Sequence, residues 1–182
     1  MELTAILCNH AEAQNNLLYV SAGGIDQVLI PAGHSEPFTV SVGIGIIVEV
    51  PRTASDQEHT VDIELLDSDG RAVELQKGLD EREPFHTQFK FNIGKSDHHE
   101  ADETQSVAFA VNIPVLRLGK LGSYVFAVSV DGTVQRRLPY RLVGQAGLPV
   151  DKCSPVGARP RRPHEPQHSR SLIGNWPDDS VL

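Results

Sequence analysis

The densest group of metal-capable side chains lies in the acidic loop from Lys95 to Glu103, which contains the adjacent His98 and His99. Imidazole and carboxylate groups together suit zinc, nickel or iron, so a metal-dependent enzyme using His98 and His99 is one hypothesis. Adjacent histidines on a loop rarely converge on one ion, and no other His or Cys stands at a matching spacing. A solvated acidic loop is the preferred interpretation, and no cofactor is predicted.

Arg136 is the best single candidate for binding a ligand. On a predicted strand over 134–142, the alternation places Arg136 on the apolar side opposite Phe126, whereas Arg137 and Arg141 face outward. An inward Arg either reaches solvent at the rim of the core or anchors an anion or carboxylate. A sensor of small anionic molecules, with a pocket near Arg136, is therefore a second hypothesis.

Two other groupings have the residue types of sites but favour structural roles. Cys8 and His10 could form a nucleophilic dyad, yet no orienting acid or oxyanion loop accompanies them, and a buried structural Cys is expected. The segment from Asp67 to Gly70 resembles the start of a calcium loop, but its twelfth position is Gly78 instead of Glu. With no phosphate loop or nucleophile elbow either, the sequence predicts no catalytic residues and no enzyme.

The elements that must position these groups are strands. Every even-numbered residue from Phe38 to Val50 is apolar, which is the period of a strand with one buried face. The same alternation recurs along the chain, and no segment has a helical period. We therefore predict an all-β fold, an antiparallel β-sandwich of immunoglobulin-like or related topology. The nine predicted strands are 3–10, 17–24, 38–50, 60–66, 71–76, 87–93, 106–117, 123–130 and 134–142.

Gly70 and Gly132 are predicted to close two hairpins through three-residue loops, each with the Gly in the left-handed region. A two-residue loop would set apolar positions against polar ones, because a one-residue slip turns a strand over. The predicted cross-strand pairs are Leu65 with Val73, Ile63 with Leu75, Val128 with Val134 and Tyr124 with Leu138.

Tyr124 indicates the type of sandwich. Gly122-Ser123-Tyr124 at the start of a strand resembles the tyrosine corner of immunoglobulin-like domains, in which the hydroxyl bonds back to nearby backbone. In antibody domains a Cys follows two residues later, and here that position is Phe126. The inter-sheet disulfide is therefore not expected.

Composition and charge restrict the partners. The 182 residues carry a formal net charge of -8, which disfavours nucleic acid and anionic membranes. The first residues have neither the basic nor the apolar region of a signal peptide, and no stretch is long enough to span a bilayer. Cys8 and Cys153 do not form a disulfide framework. A cytoplasmic protein is expected.

The chain divides after about Leu142. Residues 1–143 are predicted to form the β-sandwich domain, and residues 144–182 are rich in Pro, Arg, Ser and His without an apolar period. Such a tail cannot bury enough apolar surface to offset its ordering entropy, so it is predicted to be mostly disordered. Its one apolar cluster, from Ser171 to Trp176, is interpreted as part of a disordered end with incidental apolar residues, and a short docking motif is the alternative.

Several segments resemble a known family. The opening from Leu3 to Glu12, followed by Leu18 to Gly24, is similar to short bacterial proteins of unknown function, chiefly actinobacterial. The resemblance continues through Glu49-Val50-Pro51 and through the hairpin sequences from Glu64 to Gly70 and from Gly122 to Gly132. It covers about residues 1–143 and carries no known activity, so it implies no catalytic residues.

The leading functional hypothesis is a non-enzymatic binding or protein-interaction module. Its partner would be another protein or a second copy of the chain, bound through an edge strand or a sheet face. The anion sensor based on Arg136 and the metal enzyme based on His98 and His99 are the alternatives from other classes.

Overall fold

A computed structural model describes residues 1–76, 82–94 and 104–145. The predicted all-β class is confirmed, with twelve strands and a single 3-10 turn, Arg52–Ala54, among the described residues. Each of the nine predicted strands corresponds to an observed one. The chain also forms β2, β4 and β8, which were not predicted separately. The strands are β1 (Glu2–Cys8), β2 (His10–Gln14), β3 (Leu17–Ser21), β4 (Gln27–Ile30), β5 (Phe38–Pro51), β6 (Glu58–Leu66), β7 (Glu74–Gln76), β8 (Arg82–Pro84), β9 (His86–Asn92), β10 (Thr104–Leu118), β11 (Gly122–Val130) and β12 (Thr133–Gly144).

Two sheets enclose the core. One has the order β1-β5-β10 and the other the order β4-β12-β11-β6-β9, while β2-β3 and β7-β8 form separate two-stranded ribbons. The paired strands are antiparallel, as predicted, except that β4 runs parallel to β12. The immunoglobulin-like topology stays a prediction.

The alternation in β5 accounts for the core. Its even residues face the other sheet, and Ile44, Ile46 and Val48 are fully buried. Aromatic rings join the sheets further along, where Phe89 of β9 lies 4.7 Å from Phe109 of β10 between ring centroids. Because each buried aliphatic side chain contributes about 1.5–3 kcal/mol, this face supplies much of the stability of the fold.

The hairpin at Gly70 has the predicted three-residue loop, but its two strands stay paired over fewer residues than predicted. The N–H of Val73 donates to the carbonyl of Leu65 at 2.8 Å, and Gly70 has a φ of +77°. The Leu65–Val73 pair is therefore confirmed. The Ile63–Leu75 pair is wrong, because β7 leaves β6 to pair with β8, and β6 pairs with β9 instead.

The hairpin at Gly132 differs from the prediction. Val130 pairs with Thr133 across a two-residue loop, in which Asp131 and Gly132 have φ values of 50° and 76°. A bulge at Gln135 then supplies the extra residue that keeps the apolar faces together. The matching of apolar positions across the hairpin excluded a two-residue loop only because it did not allow for a bulge.

The pairing register of β11 and β12 is consequently displaced by two residues. Tyr124 lies opposite Tyr140 instead of Leu138, and Val128 lies opposite Arg136 instead of Val134. Since a shift of two leaves each side chain on its original face, Tyr140 still points into the core, where it is 1% exposed.

The predicted strand 3–10 is two strands. β1 leaves the first sheet after Cys8, and the β2-β3 hairpin crosses the outer face of β5 and β10. Gly43 provides the space, because a Cβ there would lie 2.9 Å from the Cys8 sulfur and 3.1 Å from the Cα of His10. Pairing between β1 and β5 therefore stops at Gly43, and the first five residues of β5, Phe38 to Val42, have no partner on that side among the described residues.

Candidate functional site

A cleft of about 540 Å³ lies beside the unpaired start of β5. The short strand β4 forms the facing wall, and the loop between β4 and β5 closes one end. We call it the β4-β5 cleft. Its lining residues are Asn9, Val28, Leu29, Ile30, Pro31, His34, Ser35, Pro37, Phe38, Thr39, Val40 and Ser41.

Backbone groups of β5 point into the β4-β5 cleft. The carbonyl of Leu7 accepts bonds from the N–H groups of Gly24 and Ile25, so it faces away from β5. Along an antiparallel pair the backbone alternates in direction, and the even residues of β1 therefore bond to the odd residues of β5. Extended beyond Gly43, this alternation directs the N–H and C=O groups of Thr39 and Ser41 into the cleft. Among the described residues, β1 pairs with β5 only as far as Gly43, so no strand is paired with Thr39 and Ser41 on the cleft side.

The opposite wall has a similar edge. The carbonyls of Asp26 and Ile30 accept bonds from Arg141 and Gln145 on the β12 side of β4. Backbone direction alternates along a strand, so the even-numbered residues of β4 face β12. Leu29 is odd-numbered, and its N–H and C=O groups therefore face away from β12 and toward the β4-β5 cleft. The Leu29 side chain is 59% exposed, although it is large and apolar.

The inner side of the cleft is apolar, while Asn9, Ser35, Thr39 and Ser41 contribute polar groups to the rest of its lining. Ile30, Phe38 and Val40 line its inner side and are each 8% exposed. No Asp, Glu, Lys or Arg is among the lining residues. His34 is the titratable one, and its Nδ1 lies 3.2 Å from the carbonyl of Pro31. Unpaired strand edges around an apolar interior suit an extended polypeptide better than a charged small molecule.

The second polar feature is a buried His–Asp pair. His59 on β6 is 3% exposed, its Nδ1 lies 2.9 Å from Oδ2 of Asp131, and its Nε2 lies 2.7 Å from the carbonyl of Ala54. Both neighbours accept hydrogen bonds, so the two contacts are satisfied together only when both ring nitrogens carry a proton, as in the imidazolium form. The other carboxylate oxygen of Asp131 accepts the N–H of Thr60 at 2.9 Å.

The electrostatics agree with this assignment. Burial alone lowers the pKa of His59, but the hydrogen bonds to Ala54 and Asp131 outweigh it, so the pKa is raised above its ordinary 6.5. Burial alone raises the pKa of Asp131. The hydrogen bond from the Thr60 N–H and the contact with His59 lower this pKa by more than burial raises it, so the pKa lies below its ordinary 3.8. Both ring nitrogens of His59 and both carboxylate oxygens of Asp131 are engaged within the fold, so the pair fastens the β11-β12 turn to β6.

The structure pairs Arg136 with a different residue from the one predicted. Its side chain is exposed, it lies opposite Val128 instead of Phe126, and it does not line the β4-β5 cleft. Because directly opposite residues share a face, pairing with the fully buried Val128 keeps Arg136 on the apolar side of β12, although the residue is exposed. An anion-binding role for Arg136 stays a prediction.

The remaining candidates are the His98–His99 loop, the Cys8–His10 pair and the turn that begins at Asp67. His98 and His99 lie outside the described residues, and within the described ones no group of three or more His, Cys, Asp and Glu could hold a metal ion. Cys8 is fully buried while His10 is exposed, and burial raises the pKa of the Cys8 thiol. Oδ1 of Asp67 accepts two backbone N–H groups within its own turn, as in a plain Asp-containing turn.

Tyr124 has the geometry of a tyrosine corner. Its ring is 7% exposed, and its hydroxyl donates to the carbonyl of Lys120 at 2.7 Å. Gly122, at the start of the strand, has a φ of +141°, in the region that favours glycine. Tyr124 therefore anchors the turn before β11 to the core.

Sequence reasoning did not identify the cleft or the His–Asp pair. β4 has only four residues, which is too short for a clear alternation. His59 and Asp131 are 72 residues apart, and neither stands in a motif. One signal was present: Gly43 and Gly45 break the outer face of β5, and they mark where another part of the chain crosses it closely.

Comparison with known proteins identifies a family and no activity. No helix within the described ranges is long and apolar enough to cross a membrane. No curated protein matches the chain significantly. Residues 3–143, which include the β4-β5 cleft and the His–Asp pair, match a family of unknown function. The chain therefore belongs to the DUF6941 family.

Proposed function

We propose that this protein is a non-enzymatic binding module that takes up an extended segment of a partner protein in the β4-β5 cleft. The observation that carries the proposal is the edge of β5 beyond Gly43, which β1 leaves unpaired and which lines a cleft without charged residues among its described lining. Main-chain pairing with a guest strand supplies affinity in this mode of recognition.

Backbone hydrogen bonds and apolar burial are the two terms that would favour such a complex. Four backbone hydrogen bonds contribute about 2–6 kcal/mol in total, and apolar burial against Phe38 and Val40 adds to this. Ordering the guest segment opposes binding by about 1–2 kcal/mol for each residue fixed. The net charge of -8 favours a polypeptide over a nucleic acid as the partner.

Two finer expectations belong to the same proposal. Cys8 is a free, buried thiol, which fits a reducing compartment such as the cytoplasm. The bond from the Tyr124 hydroxyl to the Lys120 carbonyl supports an immunoglobulin-like topology for the sandwich.

A displayed library of random 12-residue peptides, selected on the full-length chain, tests the proposal. Recovered peptides would be measured by fluorescence anisotropy against the wild type, Ser41→Pro and Ser41→Ala. Proline removes the N–H that faces the cleft, whereas alanine removes only the outward hydroxyl. We expect Ser41→Pro to weaken binding at least about tenfold and Ser41→Ala to change it by less than about twofold.

Leu29→Glu is the second variant, because a side chain that is 59% exposed can be replaced without unfolding the protein. It should weaken the same peptides by placing a charge at the mouth of the cleft. Circular dichroism would establish that each variant is folded. Failure to enrich any peptide, or equal binding by wild type, Ser41→Pro and Leu29→Glu, would overturn the proposed function.

A further inference from the structure

We infer that the β4-β5 cleft selects an uncharged segment with apolar residues at alternate positions, aligned antiparallel to β5 in continuation of β1. The inference rests on the proposed function and specifies its ligand. It follows from the two faces of β5, from the charge of the lining and from the direction of β1.

The two faces of β5 set the pattern. Phe38, Val40 and Val42 point inward and are at most 8% exposed, whereas Thr39 and Ser41 point outward to solvent. Residues directly opposite each other on paired strands share a face. A guest residue opposite Val40 therefore enters the space between the sheets, and its neighbours opposite Thr39 and Ser41 stay in water.

The lining determines which inward side chains are accepted. Ile30, Phe38 and Val40 surround the inner positions, and no Lys, Arg, Asp or Glu lines the cleft to compensate a buried charge. An unpaired charge there would lose its hydration, which is far more costly than leaving the site empty. β-Branched residues such as Val or Ile fit the pleated surface at these positions.

The existing sheet sets the direction and length. β1 runs antiparallel to β5 and ends opposite Gly43, so a guest strand in its position would begin opposite Val42 and end opposite Phe38. Five residues of β5 are open, which is about 17 Å of strand. Antiparallel pairing is also slightly more stable per residue than parallel pairing. The site therefore binds about five residues of the guest strand, and two or three of their side chains point inward.

Two synthetic peptides of equal composition test the pattern. One alternates three Thr with three Val, and the other has three Thr followed by three Val; both carry two Lys and a fluorophore at one end. We expect the alternating peptide to bind the full-length wild type at least about tenfold more tightly and to lose this advantage on Ser41→Pro. A third peptide, with the central Val replaced by Glu, should not bind detectably.

The outcomes separate this inference from the proposed function. Equal binding of the two isomers, or tighter binding of the block peptide, would overturn the pattern, and sensitivity to Ser41→Pro would still support strand addition. Binding of library peptides but not of the alternating peptide would likewise overturn the pattern alone. If neither the library nor the synthetic peptides bind, both proposals fail.

The direction is read from a nitroxide on the alternating peptide in an amide NMR experiment. A label at the peptide N-terminus should broaden the signals of Val42 and Gly43, and a label at its C-terminus should broaden that of Phe38. The reversed result would overturn the antiparallel alignment.

Discussion

The carboxamide of Asn112 bonds to both backbone groups of Ala11. Its Oδ1 accepts the N–H at 3.0 Å, and its Nδ2 donates to the C=O at 2.8 Å. Asn112 on β10 thus supplies the two backbone hydrogen bonds that a neighbouring strand would otherwise supply to Ala11 of β2. The contact holds the chain where it leaves the first sheet after Cys8, and this departure leaves the edge of β5 open at Thr39 and Ser41.

Asn112→Ala should lower the free energy of unfolding by about 2–4 kcal/mol, because it leaves a buried N–H and C=O of Ala11 unpaired. Urea denaturation would measure the loss. Asn112→Asp should also destabilise near neutral pH, since a carboxylate accepts from the N–H but repels the C=O. An unchanged midpoint in Asn112→Ala would mean that the β2-β3 hairpin is held by its apolar contacts alone.

Asn16 provides a matched comparison at an exposed site. Its Oδ1 accepts the N–H of Ala108 at 2.9 Å, and its Nδ2 donates to the C=O of Ser106 on the free edge of β10. Its φ is +61°, so Asn16→Gly removes the side chain without backbone strain. Because water can replace both bonds, we expect a loss of about 1 kcal/mol, well below that of Asn112→Ala.

Gly43→Ala and Gly45→Ala should differ in their cost. A Cβ at Gly43 meets the Asn112 Oδ1 at 2.9 Å and the backbone of His10 at 3.1 Å, so the crossing of β2 must shift. A Cβ at Gly45 meets the methyl ends of Leu18 and Val20, at 3.0 Å and beyond, which can rotate away. We expect about 2–3 kcal/mol for Gly43→Ala and less than about 1 kcal/mol for Gly45→Ala, measured by thermal and urea unfolding. Equal losses would contradict the close crossing at Gly43.

The sequence predicts those parts of the fold that depend only on the alternation of buried and exposed side chains along a strand. In β5 the alternation identified the buried residues, because a strand with one apolar face has only one way to bury it. The same reasoning found the Leu65–Val73 pair. It failed at Gly132, where a bulge at Gln135 compensates for a shorter loop, since parity cannot distinguish a longer loop from a bulge.

The candidate site was not predictable, because it depends on where strands stop pairing. Leu3 to Cys8 alternates whether or not the chain stays in the sheet beyond Cys8, so strand 3–10 was predicted as continuous. The exit at Cys8 depends on contacts with Gly43 and Asn112, which lie far along the chain. The His59–Asp131 pair is equally non-local.

Tyr124→Phe should lower the free energy of unfolding, whereas Tyr140→Phe should not. The Tyr124 hydroxyl donates to the Lys120 carbonyl at 2.7 Å, and its loss should cost about 1–1.5 kcal/mol. The Tyr140 hydroxyl is buried and has no hydrogen-bond partner within residues 1–76, 82–94 and 104–145, and burial raises its pKa to about 12. Removing an unsatisfied polar group should leave stability unchanged or raise it by about 1 kcal/mol. Urea denaturation of both variants would decide, and a clear loss in Tyr140→Phe would indicate a partner for its hydroxyl.

The His59–Asp131 pair should make stability depend on pH. The folded pKa of His59 is raised above the ordinary 6.5, so its contribution is fully present below that value and is lost as pH rises through the folded pKa. The pKa of Asp131 is lowered from 3.8, so its contribution is present above that value and is lost as pH falls through the folded pKa. The pair should therefore stabilise the protein most between these two ordinary values.

His59→Gln isolates this dependence, because glutamine donates a hydrogen bond but does not titrate. The difference in unfolding free energy between wild type and His59→Gln should be larger near about pH 5.5 than near about pH 8.5. The neighbouring Glu58–Lys90 pair, at 2.7 Å, is exposed and present in both proteins, so it cancels in the comparison. A difference that does not change with pH would show that the pKa of His59 is the same in the folded and the unfolded protein, and would contradict the raised folded pKa.

Leu29 and Leu17 provide the sharpest test of the β4-β5 cleft. Both side chains are 59% exposed, one at the mouth of the cleft and the other on the β2-β3 hairpin. Because both are so exposed, Leu29→Glu and Leu17→Glu should each change the unfolding free energy by less than about 0.5 kcal/mol. Only Leu29→Glu should weaken an alternating Thr-Val peptide, at least about tenfold by fluorescence anisotropy. Equal weakening by both variants would indicate a general effect of added negative charge, and weakening by Leu17→Glu alone would move the binding surface to the hairpin.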